Sequence, residues 1–240
     1  MDLSDPTRAV TATLDGAVLA ALAVAGKPLT VGQVTEQAAR GSEIGVRRSL
    51  ARLVEQGIVR ATLMGRNQVH ELNRDHVAAP IAAALAGLRT QLWGRLREEL
   101  DRWRPRPLYG CVFGSAARGD GDASSDIDLL LVHPPFPGEK RPARMSATMR
   151  SQLADAVGEF VASSSEADPQ GRWEGQVDRL RDLVERWTGN PLQVVDLSFH
   201  EWRYPSTPSR PLLAEIERDG LEVLKSRVLT LWPSKDATRG

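Results

Sequence analysis

One short stretch of the chain carries residue types that suit phosphate and metal chemistry. Gly114 and Ser115 follow the apolar run 108–113. Ten residues then separate Ser115 from Asp126, and Asp128 follows two positions later. Because side chains i and i+2 of a strand point to the same face, the two carboxylates are expected to project together. Two neighbouring negative charges repel each other unless a cation lies between them. Hard oxygen ligands of this kind suit Mg²⁺ or Mn²⁺ that also contacts substrate phosphates.

The glycine-serine corner is predicted to bind phosphate. If the run 108–113 is a strand, a helix can begin at Gly114, and a residue without a side chain lets a phosphate approach the backbone closely. The N–H groups at the helix start and the Ser115 hydroxyl can then donate to phosphate oxygens. Arg118 is a candidate to neutralise phosphate charge with two parallel hydrogen bonds, and an ordinary surface arginine is the alternative.

This segment resembles the signature of the polymerase-β-like nucleotidyltransferase superfamily, which is Gly-Ser, ten residues, then Asp-X-Asp. The variant here, Gly-Ser-Ala-Ala-Arg-Gly-Asp followed by Ser-Asp-Ile-Asp-Leu, is most similar to the minimal nucleotidyltransferases of bacteria and archaea. The resemblance implies a nucleotidyltransferase fold with a third carboxylate on a later strand. Asp196, within the apolar run 192–199, is where that residue is expected, and an edge-strand acid paired with Arg or Lys is the alternative.

The resemblance also implies a mechanism. Asp126, Asp128 and Asp196 would hold two divalent ions, Mg²⁺ or Mn²⁺, as metal ligands and catalytic residues. Gly114 and Ser115 would help to gather the triphosphate of ATP or another NTP. An acceptor hydroxyl would attack the α-phosphorus in line, and pyrophosphate would leave.

The elements around these residues predict an α/β (α+β) domain with a mixed β-sheet over residues 107–240. Apolar runs and helical spacing alternate along this block, which is typical of such a fold. The strands are expected at 108–113, 126–132, 192–199 and 221–224. The helices are expected at 149–160, 177–187 and 212–218, with a polar loop at 163–171.

The first 76 residues predict a different, smaller domain. Apolar residues recur at helical spacing in three short segments, among them Val10, Val18 and Leu22 of the first, and Thr30 and Ser42 can cap the second and third helices. Two short strands then flank a glycine turn, at 58–63 and 68–72. This order of elements resembles a winged helix-turn-helix domain. A connecting helix is expected within 77–106, from about 77 to 103, with an apolar stripe that includes Ile81 and Leu88.

Charge is distributed unevenly. The whole chain has 31 basic and 31 acidic residues, which excludes a globally basic nucleic-acid coat. Residues 40–66 contain six arginines against two glutamates, a local net charge of +4. Arg47, Arg48 and Arg52 avoid the apolar stripe of the third helix and Arg66 lies at the hairpin turn, which suits a helix in the major groove and a wing against phosphate. The alternative is a module for protein docking or dimerisation. Since winged helices that bind DNA are often dimers, a homodimer is the prior expectation.

Composition favours a cytoplasmic protein with no membrane partner. The single cysteine, Cys111, allows no internal disulfide. The longest apolar stretches, 17–25 and 81–88, are far shorter than the roughly 18–20 residues that cross a bilayer. Acidic residues precede the first stretch, whereas export signals begin with positive charge.

Three functions remain open. The first is an enzyme that transfers AMP from ATP to a hydroxyl of a protein or RNA, since related minimal enzymes often belong to toxin–antitoxin or defence modules and modify a partner such as a HEPN-type toxin. The second is a DNA-binding transcriptional regulator whose nucleotidyltransferase domain senses a nucleotide. The third is an adenylyltransferase that acts on an aminoglycoside antibiotic.

Overall fold

A computed structural model describes residues 1–139, 168–203, 205–206 and 210–224 of the chain. The chain divides into two compact units, Met1–Leu92 and Trp93–Gly240. The boundary falls inside one long helix. Within the described residues, no helix combines the length and the apolar character that crossing a membrane requires.

The first unit contains three helices and a small antiparallel sheet. Thr30 and Ser42 cap the second and third helices as predicted: each side chain accepts a hydrogen bond from a backbone N–H three residues later, and Gln33 completes a capping box with Thr30. The two-residue strand beside Thr30 pairs with the hairpin and gives the strand order β1-β3-β2. The elements are a 3-10 helix (Pro6–Ala9), α1 (Asp15–Ala25), β1 (Leu29–Thr30), α2 (Val31–Ala38), α3 (Glu43–Glu55), β2 (Val59–Met64) and β3 (Asn67–Leu72).

The core of this unit is formed by the apolar faces of α1, α2 and α3 against the sheet. Val18, Leu22 and Leu50 are buried in it, as their helical spacing predicts. Val10 was expected on the same face, and that prediction is wrong. The residue follows the 3-10 helix, before α1 begins, and it is 67% exposed.

The predicted connecting helix is α4 (Ala79–Arg102). Leu85, Leu92 and Leu96 of its predicted apolar stripe are buried, and Leu100 continues this stripe by one more turn. Ile81 is 62% exposed and Leu88 is only partly buried, so the stripe does not extend over the whole helix as expected.

The second unit is built on a four-stranded sheet with the order β6-β5-β4-β7. Strands β5 and β6 are parallel, whereas β4 pairs antiparallel with β5 and β7, so the predicted mixed sheet is confirmed. The strands are β4 (Tyr109–Phe113), β5 (Ile127–His133), β6 (Leu192–Ser198) and β7 (Leu221–Leu224).

Four helices accompany this sheet among the described residues: α5 (Gly114–Arg118), α6 (Pro169–Thr188), α7 (Phe199–Arg203) and α8 (Arg210–Asp219). Asp168 caps α6, so the predicted polar loop 163–171 ends too late by three residues. The predicted strand 192–199 also loses its last residue, because Phe199 begins α7. The helix expected at 149–160 lies outside the described residues.

The two faces of the sheet are covered by different groups. Cys111, Leu130 and Val132 share one face, where they pack with Leu213 and Ile216 of α8. The alternate residues of β5 point to the other face, because successive side chains of a strand alternate. Acidic residues on opposite faces of the sheet therefore cannot belong to one site.

Candidate active site

The carboxylate of Asp128 lies against the backbone of Gly114. Strand β4 ends at Phe113, which is the register partner of Asp128 on β5. Gly114 then turns the chain into α5 with a φ of +66°, a left-handed conformation that favours glycine. A β-carbon at this position would be 2.6 Å from Asp128 Oδ2, so any side chain would displace the carboxylate. The glycine is therefore required both by the turn and by the aspartate next to it.

Asp126 and Asp128 repel each other electrostatically. Burial raises the pKa of Asp128, and the negative charges of Asp126 and then Glu215 raise it further, whereas Arg118 acts in the opposite direction. Both aspartates remain partly accessible. A partly accessible pair of mutually repelling carboxylates is an arrangement that a divalent cation would stabilise.

Arg118 lies next to this pair but is surrounded by acids. Its guanidinium is 3.2 Å from Asp120, 3.4 Å from Glu215 and 3.8 Å from Asp219. The side chain is 39% exposed, and these ion pairs are therefore screened by water. Arg118 would have to exchange carboxylate partners for phosphate oxygens in order to bind a nucleotide.

Asp196 is not brought together with the other two aspartates. In the parallel β5–β6 pair, Asp128 is in register with Gln193, and Asp196 is in register with Leu131. The odd offset of three residues puts Asp196 on the opposite face of the sheet. It also separates the two positions by about 10 Å along the strands, at about 3.3 Å per residue. The expected three-carboxylate cluster therefore does not agree with the structure.

Asp196 belongs to an aromatic cluster on that opposite face. Its Oδ2 accepts a hydrogen bond of 2.7 Å from Trp173 Nε1, and the Trp173 ring lies 5.6 Å from His133 and 5.2 Å from Trp103 between ring centroids. Although part of Asp196 is solvent-exposed, desolvation of its carboxyl raises the pKa, and the Trp173 hydrogen bond offsets this in part. Asp196 is therefore bound to Trp173 and not to the groups at the glycine corner.

The donor set at the glycine corner fits a cation that shares its ligands with a substrate. Over the described ranges, no group of three or more His, Cys, Asp or Glu side chains is placed to hold a metal ion. Mg²⁺ is usually bound through one or two carboxylates together with substrate phosphates and waters. Asp126 and Asp128 can supply these two carboxylates.

A family model described as "Nucleotidyltransferase domain" matches residues 94–186, a range that includes the glycine corner and both aspartates. The match supports a nucleotidyltransferase family for this segment. The mixed α/β architecture fits a nucleotidyltransferase fold. The search of the curated proteins and the search of the solved structures each found no match.

The loop that connects α5 to β5 is held by a residue that the sequence analysis did not single out. Asn190, which is fully buried, donates from Nδ2 to the carbonyl oxygen of Ser125 at 2.9 Å and makes longer contacts with the carbonyl oxygens of Asp122 and Ala123. Asp122 closes the loop from within by accepting hydrogen bonds from Ser124 and Ser125. Asn190 lies between Gly189 and Pro191, a pattern that is typical of the end of a helix. The sequence therefore gave no indication that Asn190 holds this loop.

Glu215 of α8 is a second residue that sequence analysis did not single out. It lies beside Arg118, and its negative charge raises the pKa of Asp128. The separation of almost 90 residues between Glu215 and Asp128 hides this relationship in the sequence.

Two of the four arginines that were predicted to bind DNA form ion pairs within the first unit. Arg47 forms an ion pair with Glu43 at 2.7 Å, and Arg52 forms one with Asp15. Arg48 and Arg66 are exposed and, among the residues described, have no ion-pair partner. Glu43 is already counted in the local charge of +4, whereas Asp15 lies outside residues 40–66 and partly neutralises that charge.

Proposed function

We propose that this chain is a nucleotidyltransferase that moves a nucleoside monophosphate, AMP in the first instance, from an NTP to an acceptor hydroxyl. The proposal rests on one observation. The carboxylate of Asp128 lies directly on the backbone of Gly114, so that an acidic group and a corner without a side chain share one small volume. A cation bound by the carboxylate and a phosphate bound at the glycine backbone would therefore lie next to each other.

The residues have separate roles in the proposed reaction. Asp126 and Asp128 hold a divalent cation, which when bound supplies positive charge to the phosphate oxygens. Gly114 leaves the backbone open to the triphosphate, and the Ser115 hydroxyl donates to a phosphate oxygen. Arg118 adds positive charge beside them.

The reaction balances without any further reactant. The acceptor oxygen forms a bond with the α-phosphorus, and the bond from the α-phosphorus to the oxygen that bridges it to the β-phosphorus breaks. Pyrophosphate leaves with the electron pair, and the hydroxyl proton passes to solvent. Asp196 has no part in this scheme, because it lies on the other face of the sheet.

Transfer of label tests the proposal. The full chain is incubated with each of the four NTPs labelled at the α-phosphate, with Mg²⁺ or Mn²⁺ and a cell extract as the source of acceptors. We expect macromolecules to become labelled by the wild type and not by Asp128→Asn. Asp178→Asn, which removes an exposed acid of α6, is the matched control and should behave as the wild type. Equal labelling by the wild type and Asp128→Asn, or none by either, overturns the proposal.

The class of acceptor is read from the same experiment. Label that is lost after protease treatment is on a protein, such as a HEPN-type toxin, and label that is lost after ribonuclease treatment is on RNA. The proposal of a macromolecular hydroxyl acceptor fails if the label appears only on small molecules.

We also propose that the first unit is a winged helix-turn-helix domain that binds DNA. Exposed Arg48 on α3 and exposed Arg66 between β2 and β3 support this, because neither is held by an acidic partner within the described residues. Arginines in these two elements suit a recognition helix and a wing against phosphate.

The salt dependence of DNA binding tests this second proposal. Each lost phosphate contact lowers the slope of log K against log salt by about 0.9. We therefore expect Arg48→Gln/Arg66→Gln to reduce the slope by about 1.8, and the exposed pair Arg95→Gln/Arg186→Gln to leave it unchanged. Arg52 is unsuitable for the test, because its ion pair with Asp15 is part of the fold. An unchanged slope in the first variant, or no DNA binding by the wild type, contradicts the proposal.

A further inference from the structure

The first unit contains a cavity, open to solvent, that the proposed functions do not use. Its volume is about 520 Å³. This lies within the range of about 300–1,000 Å³ that is typical of small-molecule sites. Helices α1 and α4 form two of its walls, and the 3-10 helix with the residues before it forms a third. All lining residues belong to the same unit.

The helical walls of the cavity carry mostly small apolar side chains, with a few polar ones among them. Ala17, Ala20 and Ala21 of α1 face Leu85 and Ala86 of α4 across it. Ala17 and Ala21 are buried and pack with Ala38 at the end of α2, whereas Ala20 and Ala86 are only partly buried. Small residues leave space that longer side chains would fill, so these walls can accept an apolar body.

Arg89 gives the cavity one positive charge. Its Nη2 donates to the carbonyl oxygen of Leu3, while its Nε is inaccessible to water and has no hydrogen-bond partner among the described residues. No carboxylate in the described part of the chain forms an ion pair with this guanidinium. Because Nε is closed to water, a ligand in the cavity would meet the remaining part of the guanidinium, where the positive charge favours an anionic acceptor.

The acid that lines the cavity does not cancel this charge. Asp5 accepts from the side chain and the backbone of Thr7 through Oδ1, and its Oδ2 accepts from Arg40 at 2.7 Å. The carboxylate of Asp5 is therefore already neutralised by an arginine from outside the cavity wall. The site as a whole offers one unpaired cation beside an apolar volume.

We propose that this cavity binds a small organic monocarboxylate with an apolar body. The carboxylate would accept hydrogen bonds from Arg89, and the apolar body would lie between the alanine walls of α1 and α4. Inorganic phosphate would satisfy the arginine but would leave the alanine walls in contact with water, so the apolar body is part of the specificity. The site is independent of the glycine corner in the second unit.

Binding of 4-phenylbutyrate to the full chain, measured by calorimetry and thermal shift, tests the proposal. 4-Phenylbutyramide is the matched neutral probe. We expect the acid to bind at least about ten-fold more tightly than the amide, which corresponds to about 1.4 kcal/mol. Arg89→Gln should remove this preference, whereas Arg95→Gln, which changes an exposed arginine of the same helix, should retain it.

A second variant separates loss of binding from loss of folding. Ala86→Phe keeps Arg89 and fills the cavity, so it should fold with an unchanged or higher melting temperature and should not bind the acid. The proposal is overturned if 4-phenylbutyrate, hexanoate and 3-cyclohexylpropionate all fail to bind the wild type. It is also overturned if acid and amide bind equally, or if Ala86→Phe binds as the wild type does. Label transfer from NTPs is expected to be the same in all of these variants.

Discussion

Oδ2 of Asp128 lies 2.6 Å from the point that a β-carbon on Gly114 would occupy. These two residues are 14 positions apart in the sequence: Gly114 directly follows β4, and Asp128 is the second residue of β5. The antiparallel pairing of these strands brings them together, because Phe113 is the register partner of Asp128. The Gly-Ser and Asp-X-Asp parts of the motif thus lie in contact with each other in the folded chain.

Substitution of Gly114 by alanine is expected to damage both stability and activity. The left-handed backbone costs a non-glycine residue roughly 1–2 kcal/mol, and the added methyl group would force the Asp128 carboxylate to move, at a further cost of about 1–3 kcal/mol. Chemical denaturation measures the loss. Gly26→Ala is the control, since Gly26 has a similar φ of +62° and no atom within 4 Å of its β-carbon position. An equal loss of stability in both variants would show that the contact with Asp128 has no cost.

Removing the charge of Asp128 is expected to stabilise the chain when no cation is bound. Because the folded pKa of Asp128 lies above its ordinary value, the folded chain holds this proton more tightly than the unfolded chain. The free energy of unfolding should therefore fall as the pH rises through the window between these two pKa values, and the deficit should persist at neutral pH. Asp128→Asn should have a higher melting temperature than the wild type at pH 7 in chelator, and the two should converge at acidic pH.

Divalent cations should reverse this order. At a Mn²⁺ concentration about 100-fold above Kd, binding stabilises the folded wild type by about 2.7 kcal/mol. For a chain of this size the melting temperature should rise by on the order of 5–10 °C. Asp128→Asn should show little of this rise, and Asp178→Asn should show all of it. A cation effect that survives in Asp128→Asn would contradict the assignment of this carboxylate as a ligand.

Asn190 is expected to matter although it touches no substrate. Asn190→Ala would leave the carbonyl oxygen of Ser125 without its 2.9 Å donor at a partly buried position, at a cost of about 1 kcal/mol. The loop before Asp126 would then lose its anchor, so label transfer should fall with it. Asn73→Ala removes an exposed amide contact with Gly57 and should cost less. A variant at Asn190 with normal stability and activity would show that the loop is fixed by other contacts.

Local signals predicted much of this structure. The caps at Thr30 and Ser42, the hairpin around Gly65 and the strand at β5 depend on neighbouring residues, and the sequence displays them directly. The motif also predicts that the glycine corner and the two aspartates serve one site, although the contact between Asp128 and Gly114 is seen only in the structure.

Relationships that depend on pairing between distant segments could not be predicted in the same way. The face on which Asp196 lies depends on the register between β5 and β6, and a shift of one residue would move it to the other face. Likewise, the ion pair between Arg52 and Asp15 joins residues 37 positions apart, so counting charges in a window from 40 to 66 overstates the positive charge of that surface.

The most direct test compares label transfer from an α-labelled NTP by Asp128→Asn and Asp196→Asn, each verified as folded by its melting transition. We expect Asp128→Asn to lose activity by about 10²-fold or more, as removal of a single electrostatic partner of the reacting phosphate usually does. Asp196→Asn should stay within a few-fold of the wild type, because its carboxylate is bound to Trp173 on the opposite face of the sheet. Full activity in Asp128→Asn, or an equal loss in both variants, would contradict a site built from Gly114, Asp126 and Asp128.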